Sequence, residues 1–376
     1  MKKFNLMQIV PTLNSGGVEQ GTLDLANYIA EKEMRNLIIS NGGRMLSYLN
    51  TKYVHHYRLP VHSKNFFIMP FVGKKINAII KENYINILHI RSRAPAWLIP
   101  YIDKKNLITV STFHNVYGRE NIIKKTYNKA LAKTDYIVAI SKYVKEEIIE
   151  HYKINPQKIT IINRGVDTKF FDPKIVNNNE FINFLTKYNI PNDKKIILYP
   201  GRLTEWKGQL EFLNIVERIK NEPFFFCFAG DDKNINFKKK LIKQINKKNL
   251  QNKCKILGHL NRNDLKLMYY CSDLVVSMPT KPEGFGRIVS ESLSMKKMIL
   301  AYNFGGVKNQ LANLDDIYKI DSKDQNLLIE KIKFVLSSTP DNFELLKSKS
   351  RNYIAINFSK KNMLEEYIRF YRKILT

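Results

Sequence analysis

Short apolar runs alternate with longer amphipathic stretches along the whole chain. Strands buried on both faces, each followed by a covering helix, write this pattern, so it predicts βαβ units and parallel sheets. In the first half the runs predict strands near 5–10, 36–40, 86–90, 107–112 and 135–140, and KITIINRGVD (158–167) adds a further strand and turn. Residues 168–195 interrupt the alternation: they are polar, contain Pro173, Pro191 and an asparagine run, and predict a connector with one helix. A second alternation predicts strands near 195–199, 223–229, 252–257, 273–277 and 297–301, each followed by a helical pattern. In the final stretch, FSKKNMLEEYIRFYRKILT, the residues Met363, Tyr367, Phe370, Tyr371 and Ile374 share one helical face.

At 376 residues the chain exceeds the size at which one hydrophobic core usually keeps growing. The expected fold class is α/β, with two Rossmann-like doubly wound domains facing a central cleft. The expected boundaries are 1–170 for the first domain, 171–194 for a connector, 195–357 for the second domain and 358–376 for a terminal helix. Ligands of such folds bind beyond the carboxyl ends of the strands.

Composition narrows the function classes. Hydrophobic residues make up 44% of the chain and aromatic residues 11%, enough for packed cores and too much for a disordered chain. No apolar run approaches the ~18 residues of a membrane span. MKKFNLMQIVPTL mimics a signal peptide, but its apolar stretch is broken by Asn5, Gln8 and Pro11 and leads into a glycine loop. It reads as a first strand, in a chain expected to stay in the cytoplasm. Cys227, Cys254 and Cys271 are widely spaced, with no disulfide framework or C-x-x-C pattern, and are expected to be buried and reduced. The seven histidines show no metal-ligand spacing. The formal charge of +28 divides evenly, +14 in 1–170 and +14 in 171–376. That evenness, with no aromatic-basic RNA motif, zinc finger or heptad pattern, argues against nucleic acid as a partner. A basic surface favours anionic donors, acidic glycans or an anionic membrane face. HSKNFFIMPFVGKKINAIIKEN (62–83) combines Phe66, Phe67, Ile68, Met69 and Phe71 with Lys64, Lys74 and Lys75. It reads either as an interfacial segment or as an ordinary loop and covering helix.

The candidate chemistry sits in loops that follow strands. PEGFGRIVSESLSM (282–295) puts Glu283 and Glu291 on either side of a Gly284-Phe285-Gly286 turn that opens a helix. Glycines bring backbone N–H groups close to a ligand, and a helix N-terminus favours a phosphate. The bland alternative is a glutamate favoured by the helix dipole and a second one solvated. YPGRLTEWKG (199–208) places Gly201, Arg202 and Lys207 at another strand-to-helix entry, where two cations can neutralise a diphosphate. PTLNSGGVEQG (11–21) offers Gly16 and Gly17 under a phosphate or sugar, or a plain turn. HIRSRAPAWLIP (89–100) offers Arg91 and Arg93, either functional or solvated beside a core tryptophan. TVSTFHNVYG (109–118) offers His114, functional or structural. Cations, glycine N–H groups and two carboxylates in one half suit a nucleotide-sugar.

These residues carry a family likeness. The chain resembles the glycosyltransferase family 4 group of retaining, GT-B-fold enzymes over essentially its full length. The likeness rests on Glu283-x7-Glu291, on G-R-x-x-x-x-K-G at Gly201, Arg202, Lys207 and Gly208, on NSGG, on NRGVD and on the terminal helix. HIRSRAPAW, GGVEQGTLDLA and TKPEGFGR are most similar to bacterial enzymes of lipopolysaccharide or other surface-glycan assembly. The resemblance implies that Arg202 and Lys207 bind the donor diphosphate and that Glu283 binds sugar hydroxyls. It further implies that the N–H groups of Gly284, Phe285 and Gly286 line sugar and phosphate, that Glu291 holds the ribose, and that Gly16, Gly17 and Gly201 lie under the donor. His114 would face the reacting sugar, with Arg91 and Arg93 on the acceptor side. The partners implied are a nucleotide-sugar donor and a glycan or lipid-linked acceptor; peripheral contact with the inner face of an anionic membrane is a separate expectation, resting on residues 62–83 alone. No cofactor and no metal is implied, and the terminal helix crosses back to the first domain. One departure from the family pattern is AGDDKN after the strand ending near Ala229, where Gly-x-Gly is frequent. A nucleotide-sugar 2-epimerase and a non-catalytic nucleotide-sugar or glycan-binding protein are the alternatives with the same architecture.

Overall fold

The computed structural model describes residues 4–14, 16–116, 122–321 and 324–376. Ser15 of the first glycine loop and the last two residues of TVSTFHNVYG lie outside them. The chain forms two compact units, Met1–Arg164 with Lys361–Thr376 (unit 1) and Gly165–Lys360 (unit 2).

Unit 1 is built on β1 (Leu6–Ile9), β2 (Asn36–Ser40), β3 (Val54–Arg58), β4 (Ile87–Ile90), β5 (Ile108–Phe113), β6 (Tyr136–Ala139) and β7 (Ile159–Ile161). They form one parallel sheet in the order β3-β2-β1-β4-β5-β6-β7. The inner strands are almost wholly buried, which is why they read as apolar runs. β3, absent from the predicted set, is an edge strand of sequence VHHYR that buries only Val54 fully. It has no apolar run to betray it.

Unit 2 repeats the design with β8 (Lys195–Pro200), β9 (Phe224–Ala229), β10 (Cys254–Gly258), β11 (Leu274–Ser277), β12 (Met298–Tyr302) and β13 (Lys319–Ile320), in the order β10-β9-β8-β11-β12-β13. β13 was also not expected; its two residues are too few to leave a pattern. In each unit the winding reverses beside the first strand, between β1 and β4 and between β8 and β11. These are the topological switch points at which open α/β sheets take ligands. Within unit 2 the helix Asn178–Lys187 buries Phe184, and Asp264 accepts from Lys187 Nζ at 2.9 Å and from the Tyr188 hydroxyl at 2.8 Å.

The last helix, Lys360–Lys373, completes unit 1. Met363, Leu364, Tyr367, Ile368, Phe370 and Tyr371 share one core with Phe4, Leu6, Ile29, Ile87, Val110 and Val138. The Tyr371 hydroxyl lies 2.5 Å from His89 Nδ1, and Thr112 Oγ1 lies 2.7 Å from His89 Nε2, so the buried ring is held at both nitrogens. Among the described residues no helix is long and apolar enough to cross a membrane. The three cysteines are free, and burial pushes the thiols of Cys254 and Cys271 up to about 12.

Candidate active site

The switch point of unit 2 brings its two candidate loops together. The chain leaves β8 through Gly201 and the exposed Arg202, whose carbonyl accepts from Gln209 Nε2 at 2.9 Å. A single turn, Glu205–Lys207, then directs the Lys207 side chain onto the Glu283 carboxylate, with Nζ 4.7 Å from the centre of the Trp206 ring. The Tyr199 hydroxyl donates to the Lys207 carbonyl at 2.7 Å and accepts from the Met278 N–H at 3.2 Å, tying the loop after β8 to the loop after β11. The close approach explains the glycine after Lys207. Gly208 has φ +81°, and a Cβ there would collide with the Met278 carbonyl.

The second loop carries Glu283, only 7% exposed, whose carbonyl accepts from the Gly306 N–H at 2.8 Å. Gly286, at φ +89°, opens the helix Arg287–Ser294, and a Cβ on it would strike a Val307 methyl. Gln310 Nε2 donates to the carbonyls of Phe285 and Gly286, so the turn is braced from the neighbouring helix. Glu291 is 4% exposed and accepts from the Tyr269 hydroxyl at 3.0 Å and from Arg287 at 2.6 Å. Burial, and then the Glu291 charge, push the Tyr269 phenol well above its ordinary value, so it remains a donor. The two glutamates therefore have different surroundings: Glu283 faces a lysine, and Glu291 is fixed by a phenol and an arginine. Phe285 is buried, with its ring centre 5.9 Å from that of Phe358.

In unit 1, Gly16 and Gly17 follow β1 and start the helix Gly17–Ala30. Arg164, just past β7, donates to the Gly17 carbonyl and lies 3.4 Å from His114 Nδ1. A guanidinium can only donate, so Nδ1 is the acceptor and the ring proton sits on Nε2. Arg91 is 1% exposed, its guanidinium carbon 5.2 Å from the centre of the Tyr367 ring, and its Nε and one terminal nitrogen have no hydrogen-bond partner among the described residues. Arg93 donates to Asn128 Oδ1 at 2.9 Å. Neither arginine is simply solvated. Sequence reasoning passed over Arg164 as a site residue, although it lies in the NRGVD stretch, and over Tyr269, Gln209 and Gln310. Tyr269 and Gln310 come from helices with no local motif, whereas Gln209 directly follows YPGRLTEWKG.

Burial first, then the Arg91 and Arg164 guanidiniums, push His114 well below the ordinary imidazole value; burial and Arg91 do the same to His89. Both rings are neutral in the fold. Below the unfolded value near 6.5 the unfolded chain binds protons that the folded one refuses, so stability falls as pH drops. The slope is up to about 1.4 kcal/mol per pH unit for each ring. Urea midpoints at neutral pH and about one unit below the unfolded imidazole value should therefore separate clearly, and a flat profile would show these rings to be protonated in the fold. Elsewhere, Glu147, Glu150 and His151 bring side-chain ligand atoms within 4.8 Å of one another on one helix, with His151 bonded to Glu147 at 3.2 Å.

Residues 15–170 match the model of Glycosyltransferase Family 4, and residues 181–355 match that of Glycosyl transferases group 1. A crystal structure of a glycosyltransferase from Rickettsia africae is 34% identical, covers 100% of both chains and superposes with a TM-score of 0.90. Anabaena Alr3699/HepE, solved in complex with UDP-glucose, is 15% identical over 99% of this chain and 100% of that one, with a TM-score of 0.81. The phosphatidylinositol N-acetylglucosaminyltransferase GPI3 subunit of Saccharomyces cerevisiae is 25% identical over 301 residues, 77% of this chain and 64% of its own length. The chain thus spans less than two thirds of that curated relative. Two parallel Rossmann-like sheets, a terminal helix returned to unit 1 and a family match on each unit lead to one conclusion: the chain belongs to the GT-B glycosyltransferases, with a family 4 first unit and a group 1 second unit.

Proposed function

We propose that this enzyme is a retaining glycosyltransferase, moving a sugar from a nucleoside-diphosphate sugar to a glycan or lipid-linked acceptor of cell-surface polysaccharide assembly. The observation that carries the reading is the set at the unit 2 switch point: Lys207 on Glu283, the braced turn Gly284–Gly286, and Glu291 fixed by Tyr269 and Arg287. The UDP-glucose complex of a protein with the same fold supports a nucleotide-sugar donor. Three unpaired cysteines suit a reducing cytoplasm.

In this reading Arg202 and Lys207 take the diphosphate, while Glu283 and the turn N–H groups take the sugar. Glu291 takes the ribose, and Gly201 lets the backbone pass close to the phosphates. Gly16, Gly17 and His114 serve the donor and reacting sugar from unit 1, with Arg91 and Arg93 on the acceptor side. The bond from the anomeric carbon to the diphosphate oxygen breaks, and the acceptor oxygen bonds to that carbon on the same face. The acceptor proton passes to the departing phosphate oxygen. Cations and oriented N–H groups stabilise the charge that develops there.

Thermal-shift measurements across UDP-, GDP- and ADP-sugars test the donor class, since a ligand at 100 times its Kd stabilises by about 2.7 kcal/mol. Incubation with the stabilising donor alone distinguishes slow hydrolysis, expected of a transferase, from conversion to a second sugar, expected of an epimerase. Glu291→Gln keeps the side-chain shape but loses the charge. Charged hydrogen bonds exceed neutral ones by about 1 kcal/mol, so calorimetry should find the nucleotide bound several-fold more weakly. Transfer at saturating donor should change little, and an unchanged Kd would remove Glu291 from the ribose.

A further inference from the structure

Unit 1 carries an apolar surface that the transfer chemistry leaves unused. The helix Met69–Glu82 buries Met69, Val72, Ile76 and Ile79 against its own unit, which is all that a covering helix requires. Its outer face nevertheless presents Phe71, 71% exposed, beside the exposed Lys74 and Lys75, and the preceding loop presents Phe67, 87% exposed, and Phe66. Three exposed phenylalanines within six residues exceed the scattered apolar exposure of an ordinary surface.

Behind Phe66 lies a cavity of about 380 Å³, within the ~300–1,000 Å³ of ligand pockets, lined mainly by Phe66, Met69, Ala94, Trp97 and Tyr127, with Ser63, Lys64 and Thr126 also on its wall. Trp97 stacks on Tyr127 with ring centres 5.8 Å apart, and Phe66 meets Trp97 edge-on at 5.6 Å. Carbon dominates this lining. A sugar would leave most of its hydroxyls without partners there, whereas a hydrocarbon chain has none to satisfy.

The surroundings are uniformly cationic. Residues 62–81 hold four lysines and no acidic residue, and so do residues 122–133. Lys64 Nζ sits 5.5 Å from the Tyr127 ring centre and Lys133 Nζ 5.9 Å from that of Trp97. Such a surface repels a second copy of itself. Apolar rings ringed by lysines match hydrocarbon below and phosphate above.

We propose that unit 1 docks on an anionic lipid bilayer through Phe66, Phe67 and Phe71, with Lys64, Lys74 and Lys75 on the head groups and the cavity open to an acyl or prenyl chain. This deepens the lipid-linked acceptor reading and rests on it for its purpose, while the docking itself is measured without any transfer assay.

The full chain is sedimented with phosphatidylcholine vesicles, with and without phosphatidylglycerol, at low and high salt. Binding is expected only with phosphatidylglycerol, and it weakens as salt rises. Phe67→Ser and Phe71→Ser should each lower the partition coefficient about tenfold or more. Lys74→Gln and Lys75→Gln should each lower it roughly fivefold. All four variants should keep wild-type circular dichroism and donor binding. No binding at low salt overturns the proposal, as does unaltered binding of the phenylalanine variants. A lipid-free dimer dissolved by Phe67→Ser, or capture of a single-stranded oligonucleotide with no vesicle binding, assigns the patch to another occupant and also overturns it. Failure of the transferase reading is separate: vesicles would be bound while no nucleotide-sugar is.

Discussion

Lys207→Ala is expected to reduce turnover by two orders of magnitude or more and, unlike Arg202→Ala, to weaken unit 2 as well. Both side chains are assigned to the diphosphate, and losing one preorganised charge contact at a developing oxyanion costs on the order of 3 kcal/mol of barrier, about 100-fold in rate. Their surroundings differ. Arg202 is exposed, so its removal should change stability by no more than about 0.5 kcal/mol. Lys207 is paired with a buried carboxylate, and truncating it leaves Glu283 charged and alone. Breaking a buried pair from one side typically costs about 3–5 kcal/mol. The double variant Lys207→Ala with Glu283→Gln separates the two effects. Neutralising the orphaned carboxyl should restore most of the urea midpoint and none of the turnover. Recovery of activity in the double variant would mean that Lys207 serves only to balance Glu283. Near-normal turnover in both single variants would sink the diphosphate assignment.

Legibility in the sequence followed burial. Strands such as β4, β9 and β11 are buried along their whole length and wrote apolar runs that could be read directly. β3 and β13 left no such trace, because an edge strand of mixed polarity and a two-residue strand have no period to detect. The residues of the site followed a second rule. Gly201, Lys207, Glu283 and Gly286 lie on loops where the backbone must bend sharply, so glycine spacing marked them. Tyr269 and Gln310, each in the last turn of its helix, reach their partners across about twenty-two and twenty-four residues of chain. Nothing in their neighbourhood distinguishes them from core or surface residues until the sheet order is known. Arg91, left open between a functional and a solvated reading, shows the reach of distant contacts. An arginine after a strand invites a solvated reading, yet Tyr367, over two hundred and seventy positions later, closes over it. Contacts made by the returning terminal helix are invisible to any local window.

Deleting 361–376 should unfold unit 1 and abolish its soluble expression. The deleted segment supplies six buried side chains to the core around Phe4, Leu6, Ile87 and Val138. Each is worth about 1.5–3 kcal/mol on burial, so the loss is roughly 9–18 kcal/mol, as large as the ~5–15 kcal/mol by which whole domains are usually stable. The apolar faces of β1, β4 and β5 would be left open as well. Graded variants locate the effect without removing the helix. Phe370→Ala should cost about 3–5 kcal/mol through lost contacts and a cavity. Tyr371→Phe, which keeps the ring but strips His89 Nδ1 of its partner at 2.5 Å, should cost about 1–3 kcal/mol. The deleted segment belongs to unit 1, so proteolysis of the truncated chain should leave a resistant fragment covering 165–360. A truncated protein that stays folded throughout, with wild-type denaturation midpoints, would mean that the terminal helix merely lies on a core already complete without it.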